Sequence, residues 1–171
     1  MTIAALLASS RSNGNTKILL DSAFPAGQVA FEDLGKLKIG FYSYASTNDG
    51  DDFLPLVTRL LCHSTWVIAT PLYWYTMSAQ AKSFLDRLSS LLDVHKEKGR
   101  AIRGKRLAVL CTGTDPFLPP SFDEPFRLTC MYLGIRFLGT HYAQFGPMHA
   151  KGPEAAQEAE SFGRTVLQSD A

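Results

Sequence analysis

Strand-like and helix-like segments alternate along this chain from one end to the other, and that alternation restricts the fold more than any other feature. Short apolar runs are separated by segments with helical spacing, so each strand is followed by a crossover before the next. Such a chain forms a parallel sheet with helices on both faces, joined by right-handed crossovers. The clearest strand is 65–70 (T-W-V-I-A-T), β-branched and apolar on both faces. Residues 2–8, 28–34, 106–111 and 137–142 read as the other four strands. Residues 17–23, 53–62, 78–92, 122–133 and 153–167 read as helices. Pro25 and Gly27 stop the first of these, and Gly134 closes the fourth.

Length and charge narrow the class. At 171 residues the chain suits one domain spanning 1–171, able to bury a core between two helical layers. With 46% apolar and 19% charged residues it reads as globular rather than disordered. A net charge of +1 gives no argument for nucleic acid or an anionic membrane surface. No apolar run is long enough to span a bilayer, and residues 1–8 are too short for a signal segment, so the expected location is the cytoplasm.

Cys62, Cys111 and Cys130 are odd in number and far apart, which argues against disulfides, a zinc knuckle or an iron–sulfur cluster. Cys111 ends an apolar run and reads as a buried, inert thiol. The histidines lack metal-ligand spacing, and His63, His141 and His149 read as structural or solvated. Lys82 and Asp86 sit at i and i+4 with Arg87 beside them. They read as a surface ion pair contributing about 0.3–0.5 kcal/mol.

In an open α/β sheet, ligands bind beyond the carboxyl ends of the strands, where the strand order reverses. Three loops that follow strands, those after 2–8, 65–70 and 106–111, have unusual compositions. The first, 9–16, carries hydroxyls, Arg11, a glycine and two asparagines between a strand and a helix. Unpaired N–H groups at the helix start, with hydroxyls and Arg11, suit a phosphate. Neither G-x-x-x-x-G-K-[ST] nor G-x-G-x-x-G is present, which disfavours a P-loop nucleotidase and a dinucleotide Rossmann site. The plainer reading is a polar turn with Asn15 or Thr16 as helix cap.

The second loop, 71–77, has three consecutive aromatics, Tyr73, Trp74 and Tyr75, which cannot all face one core. Some must lie at the rim, where a flat ring could stack or meet backbone amides. An aromatic plug or a subunit interface is the alternative. The third, 112–116, has small residues that permit close approach of a ligand to the backbone, or form an ordinary turn.

Together these loops resemble the NAD(P)H-dependent FMN reductase family of the flavodoxin-like superfamily. Its first signature, G-S-x-R-x-x-G-N-T, matches Ala8-Ser9-Ser10-Arg11-Ser12-Asn13-Gly14-Asn15-Thr16. Its second, P-x-Y-x-x-x-x-[ST]-A-x-x-K-x-F-[IL]-D-R, matches residues 71–87 from Pro71 to Arg87. The resemblance implies a flavodoxin-like three-layer sandwich, a five-stranded parallel sheet in the order 2-1-3-4-5 that flavodoxin itself exemplifies. It implies that Ser9, Arg11, Asn15 and Thr16 hold the FMN phosphate. Pro71, Leu72, Tyr73 and Trp74 would line the isoalloxazine ring through backbone and side chain, and Thr112, Gly113 and Thr114 would close its other edge. Two departures stand out. Ala8 replaces a glycine, which is expected to tighten the phosphate turn, and 40–52 lacks the cysteines many relatives carry there.

The activity implied is that of an FMN-dependent NAD(P)H oxidoreductase acting on a quinone, flavin, nitro or azo acceptor. No residue is assigned as acid, base or nucleophile, because the flavin carries the chemistry. Tyr73, Trp74 and Tyr75 are expected to shape the acceptor pocket, and a second subunit to complete it in a homodimer or homotetramer. A flavodoxin-type electron carrier is the alternative, though such carriers are strongly acidic and this chain is not. A flavin-free relative that keeps only the fold is the third.

Overall fold

In the computed structural model, which describes residues 3–45, 50–146 and 153–169, five strands form one sheet. They are β1 (Ile3–Leu7), β2 (Val29–Asp33), β3 (Thr65–Pro71), β4 (Arg106–Gly113) and β5 (Arg136–Gln144). All pairings are parallel and the order is β2-β1-β3-β4-β5, as expected. The order reverses between β1 and β3, which opens a crevice beyond their carboxyl ends.

The helices are α1 (Asn15–Ala23), α2 (Phe53–Leu60), α3 (Ala79–Arg87), α4 (Ser90–Asp93), α5 (Lys96–Ala101), α6 (Glu124–Leu133) and α7 (Pro153–Gln168). The period-two alternation of the strands sorts the core into two layers. Ala4, Leu6, Trp66, Ile68 and Val109 face α2, α3 and α6. Ile3, Ala5, Leu7, Val67 and Leu110 face α1 and α7. Those two helices pack closely at Gly163, where a Cβ would lie 2.0 Å from the Ala23 carbonyl oxygen.

Several boundaries move for physical reasons. β4 continues to Gly113 because Thr112 pairs with Pro71 and Ala143, so two residues expected in the loop close the strand instead. The helix expected over 78–92 is broken where Leu88 and Ser89 donate to carbonyls only three residues back, Leu85 and Asp86. α5 has no buried residue and contains Gly99, so no apolar stripe announces it. Gly134 closes α6 as expected, left-handed at φ 71°, with the Ile135 N–H returning to the Cys130 carbonyl at 2.8 Å. Thr2 and His149 lie outside the described residues.

Arg87 departs from the sequence reading. The Lys82–Asp86 pair is exposed and 2.6 Å apart, as expected. Arg87, though, is 1% exposed and turned inward, three residues from Phe84 on the apolar face. Its guanidinium binds the Asp51 carboxylate, donates to the Gly40 carbonyl at 3.1 Å, and lies 4.5 Å from the Phe53 ring centroid. Asp51 also accepts from the N–H groups of Gly40 (3.0 Å) and Phe53 (2.9 Å). Burial pushes the Asp51 carboxyl up, but Arg87 and these two amides outweigh it and hold the carboxyl below its ordinary value. The clasp fixes the segment before α2 to α3.

Candidate functional site

The three loops singled out in the sequence meet at the carboxyl ends of β1, β3 and β4. They enclose a cavity of about 290 Å³. Ten of the eleven candidate residues line it: Ser9, Arg11, Asn15, Thr16, Pro71, Leu72, Tyr73, Thr112, Gly113 and Thr114. The eleventh, Trp74, does not; it is 92% exposed beyond the rim.

The first wall is the start of α1. Its cap is Gly14, with no side-chain hydrogen bond, so neither Asn15 nor Thr16 serves as the cap. The N–H groups of Lys17 and Ile18 are both satisfied by the Gly14 carbonyl, at 3.0 and 3.1 Å. Those of Asn15 and Thr16 have no partner among the described residues, and both residues face the cavity. A helix start left uncapped in this way attracts an anion. Arg11 stands beside Gly14, where a Cβ would lie 3.3 Å from Nε, and adds a full positive charge at the mouth.

Ser9 is buried, and its hydroxyl accepts from the Arg11 N–H at 3.3 Å. Ser12 donates to Asp33 at 2.6 Å, so its hydrogen is committed to bracing the loop against β2. That brace has no local sequence signal, because Ser12 and Asp33 lie 21 residues apart and meet through the pairing of β1 with β2. Ala8 is fully buried and does not line the cavity. Its methyl continues the Ala4, Leu6 alternation into the core beneath α3, so it never enters the cavity.

The floor is tied by a hydrogen bond of 2.8 Å between the Thr16 and Thr112 hydroxyls. Two hydroxyls hold two hydrogens and this bond uses one, leaving one to donate to a ligand. The remaining walls are Pro71, Leu72 and Tyr73. Pro71 has no N–H, the Leu72 N–H goes to the Thr112 carbonyl (2.7 Å), and the Tyr73 N–H goes to the Thr76 carbonyl (2.9 Å). This segment therefore offers a flat ring apolar surface and the Tyr73 hydroxyl, not amide donors. That hydroxyl lies 3.4 Å from the Ser10 Oγ, linking the first two loops at the rim.

Beyond Tyr73 the chain makes a tight turn. The Thr76 N–H donates back to the Tyr73 carbonyl at 3.1 Å, and both central residues are left-handed, Trp74 at φ 49° and Tyr75 at φ 65°. Two left-handed centres define a type I′ turn, which normally takes Asn-Gly. Here the turn holds two aromatics out toward solvent, Tyr75 being 63% exposed. They are not a core plug.

Behind the third loop, Cys111 is fully buried, and burial together with nearby Asp123 pushes its thiol up, so it stays protonated and inert as expected. Tyr142 was not singled out in the sequence. Its hydroxyl donates to the Asp115 carbonyl at 2.7 Å, and burial, Cys111 and Asp115 push it up to about 12. It also explains Gly113, whose added Cβ would meet the Tyr142 hydroxyl at 2.6 Å.

The donor set fits the phosphate and the flat ring of a flavin mononucleotide. Unpaired helix amides, a free hydroxyl hydrogen and Arg11 lie at one end, and apolar walls at the other. Comparisons with known proteins point to the same cofactor. The family model described as NADPH-dependent FMN reductase matches residues 1–147. YwqN of Bacillus subtilis (strain 168), which bears the name of an NAD(P)H-dependent FMN-containing oxidoreductase, is 35% identical over 104 residues, covering 54% of this chain and 54% of YwqN. An FMN-dependent NADH:quinone oxidoreductase of Pectobacterium atrosepticum is 29% identical over 119 residues, covering 66% of this chain and 58% of that protein. The chain thus spans little more than half the length of these relatives. The Trp repressor binding protein from Bacillus subtilis superposes with a TM-score of 0.77 at 23% identity, over 99% of this chain and 100% of that one, and so shares the fold. With the family model covering most of its length, the chain belongs to the NADPH-dependent FMN reductase family.

Proposed function

We propose that this chain, acting as one domain over residues 1–171, binds FMN in the three-loop cavity and carries reducing equivalents from NAD(P)H to a small-molecule acceptor. The observation that carries this reading is the uncapped start of α1 facing the cavity beside Arg11, with Pro71, Leu72 and Tyr73 as its apolar walls. When bound, FMN supplies the hydride chemistry. The protein's part is to bind, orient and shield. Asn15 and Thr16 would meet the phosphate through their backbone amides, and Arg11 through its charge. Ser9 holds the loop that carries them. Pro71 and Leu72 would pack on the ring, with Thr112, Gly113 and Thr114 along its other edge.

Tyr73, Trp74 and Tyr75 stand at the open side, where a quinone, a free flavin, or a nitro or azo compound would approach. So much exposed aromatic surface beside an open cleft supports completion by a second copy, in a homodimer or homotetramer. Among the described residues no helix is long and apolar enough to cross a membrane, which agrees with a cytoplasmic enzyme.

The test is a visible absorbance spectrum of the purified protein with added FMN, before and after anaerobic addition of NADPH or NADH. The expected result is a stoichiometric flavin spectrum that bleaches with nicotinamide. A flavin spectrum that persists with both nucleotides would favour the electron carrier. Protein that takes up no FMN would refute the cofactor assignment.

A further inference from the structure

The loop after β4 is held from behind at three successive carbonyls. The Gly113 carbonyl accepts from the Phe145 N–H at 2.8 Å, and the Thr114 carbonyl from the Gln144 side-chain amide at 2.9 Å. The Asp115 carbonyl accepts from Tyr142 at 2.7 Å. All three donors belong to β5 or the residue that follows it. In a planar trans peptide the carbonyl of one residue and the N–H of the next point in opposite directions, and no described peptide is cis. Carbonyls pulled toward β5 therefore turn the N–H groups of Thr114 and Asp115 away from β5, to the side on which Thr114 lines the cavity. Neither N–H has a partner among the described residues. The next residue, Pro116, has no N–H, so Tyr142 serves only to anchor the far end of the loop.

We propose that Gln144 and Tyr142 are positioning residues for the site: Gln144 aims the Asp115 N–H, Tyr142 anchors the loop, and together with the Thr114 N–H they present paired donors to carbonyl oxygens of the bound ring. This rests on the FMN reading above. It also supplies what the second loop lacks, since the N–H groups of Leu72 and Tyr73 are already committed. Without Gln144 the peptide between Thr114 and Asp115 is free to turn over, which would set a carbonyl against a carbonyl. The Tyr142 hydroxyl, pushed up to about 12, remains a donor across the working pH range. Donors aimed at oxygens that gain negative charge on reduction bind the reduced ring more tightly than the oxidised one.

The experiment follows backbone amide hydrogen exchange by NMR, with and without saturating FMN, in the wild type, Gln144→Leu and Tyr142→Phe. Gln144 is exposed and Tyr142→Phe keeps the ring against Gly113, so both variants should fold, which circular dichroism checks. FMN should slow exchange at Thr114 and Asp115 by tenfold or more in the wild type. Gln144→Leu should lose the effect at Asp115. Its affinity for reduced FMN should fall about tenfold more than for oxidised FMN, lowering the midpoint potential by about 30 mV. Tyr142→Phe should do the same more weakly. FMN binding to the wild type with both amides exchanging as before would overturn the proposal and leave the cofactor reading intact. Equal loss of affinity for both redox states, with a lowered melting temperature, would also overturn it. A wild type that binds no FMN would remove both.

Discussion

Replacing Trp74-Tyr75 by Asn-Gly should stabilise the fold while damaging catalysis. The left-handed conformation costs an ordinary L-residue roughly 1–2 kcal/mol, so two such residues store about 2–4 kcal/mol. Asn-Gly takes that conformation readily, although the extra freedom glycine loses on folding returns about 0.5–1 kcal/mol. The packing given up is small. Trp74 is 92% exposed and Tyr75 63% exposed. If full burial of an aromatic is worth about 1.5–3 kcal/mol, the third of Tyr75 that is covered contributes at most ~1 kcal/mol. At the middle of these ranges the balance is a gain of about 1–2 kcal/mol, and a melting temperature raised by roughly 2–8 °C for a chain of this size. Thermal unfolding followed by circular dichroism, without cofactor, reads this directly. Steady-state turnover with a quinone and with free flavin should fall, or change in preference, by more than the stability change can account for. A melting temperature lowered by several degrees would refute the reasoning, because the aromatics would then be packing rather than held under strain.

Asp51→Asn should leave the Arg87 guanidinium buried without its counter-charge and cost about 3–5 kcal/mol, measured by urea unfolding at neutral pH. Because Asp51 lies below its ordinary value in the folded protein, its contribution is complete above the unfolded value near pH 4 and is lost as the pH falls through the folded value. The wild type should therefore lose stability on acidification below about pH 4 more steeply than the variant, and parallel curves would count against the clasp. Gly163→Ala should destabilise by about 1–3 kcal/mol despite alanine's better helix propensity, since the added carbon meets backbone of α1 rather than a movable side chain; an unchanged denaturation midpoint would contradict the 2.0 Å approach. Arg11→Ala should weaken FMN binding with little change in unfolding temperature, as followed by flavin fluorescence titration, and unchanged affinity would take Arg11 out of the site.

The strands and the three cavity-facing loops were legible because each rests on local signals, whereas the sheet order came from the family resemblance. Buried parallel strands are short and apolar on both faces, as 65–70 is, and polar strand-to-helix junctions such as 9–16 stand out between them. What stayed hidden depends on residues brought together only by the folded sheet. Arg87 belongs to a motif and sits beside an i, i+4 ion pair, so its sequence context is that of a surface residue. Its partner Asp51 lies 36 residues away. Tyr142 and Gln144 fall in a strand whose pattern marks them as ordinary alternating positions, and their bonds to loop carbonyls leave no trace in either segment. The break after Arg87 and the helix α5 escaped for another reason. α4 is a single turn with one buried residue, Leu91, and α5 has none, so neither carries a stripe that could announce it.

The bond between Thr16 and Thr112 joins residues 96 apart in the chain. A cavity closed in this way does not exist in any fragment lacking β4, so no nascent or partly unfolded chain can hold a ligand there. Anything bound in it is linked to the complete sheet, and each tenfold excess of ligand over its dissociation constant adds about 1.4 kcal/mol to the whole molecule. Supply of that ligand in the cell would then set how long the protein survives proteolysis, as well as whether it works.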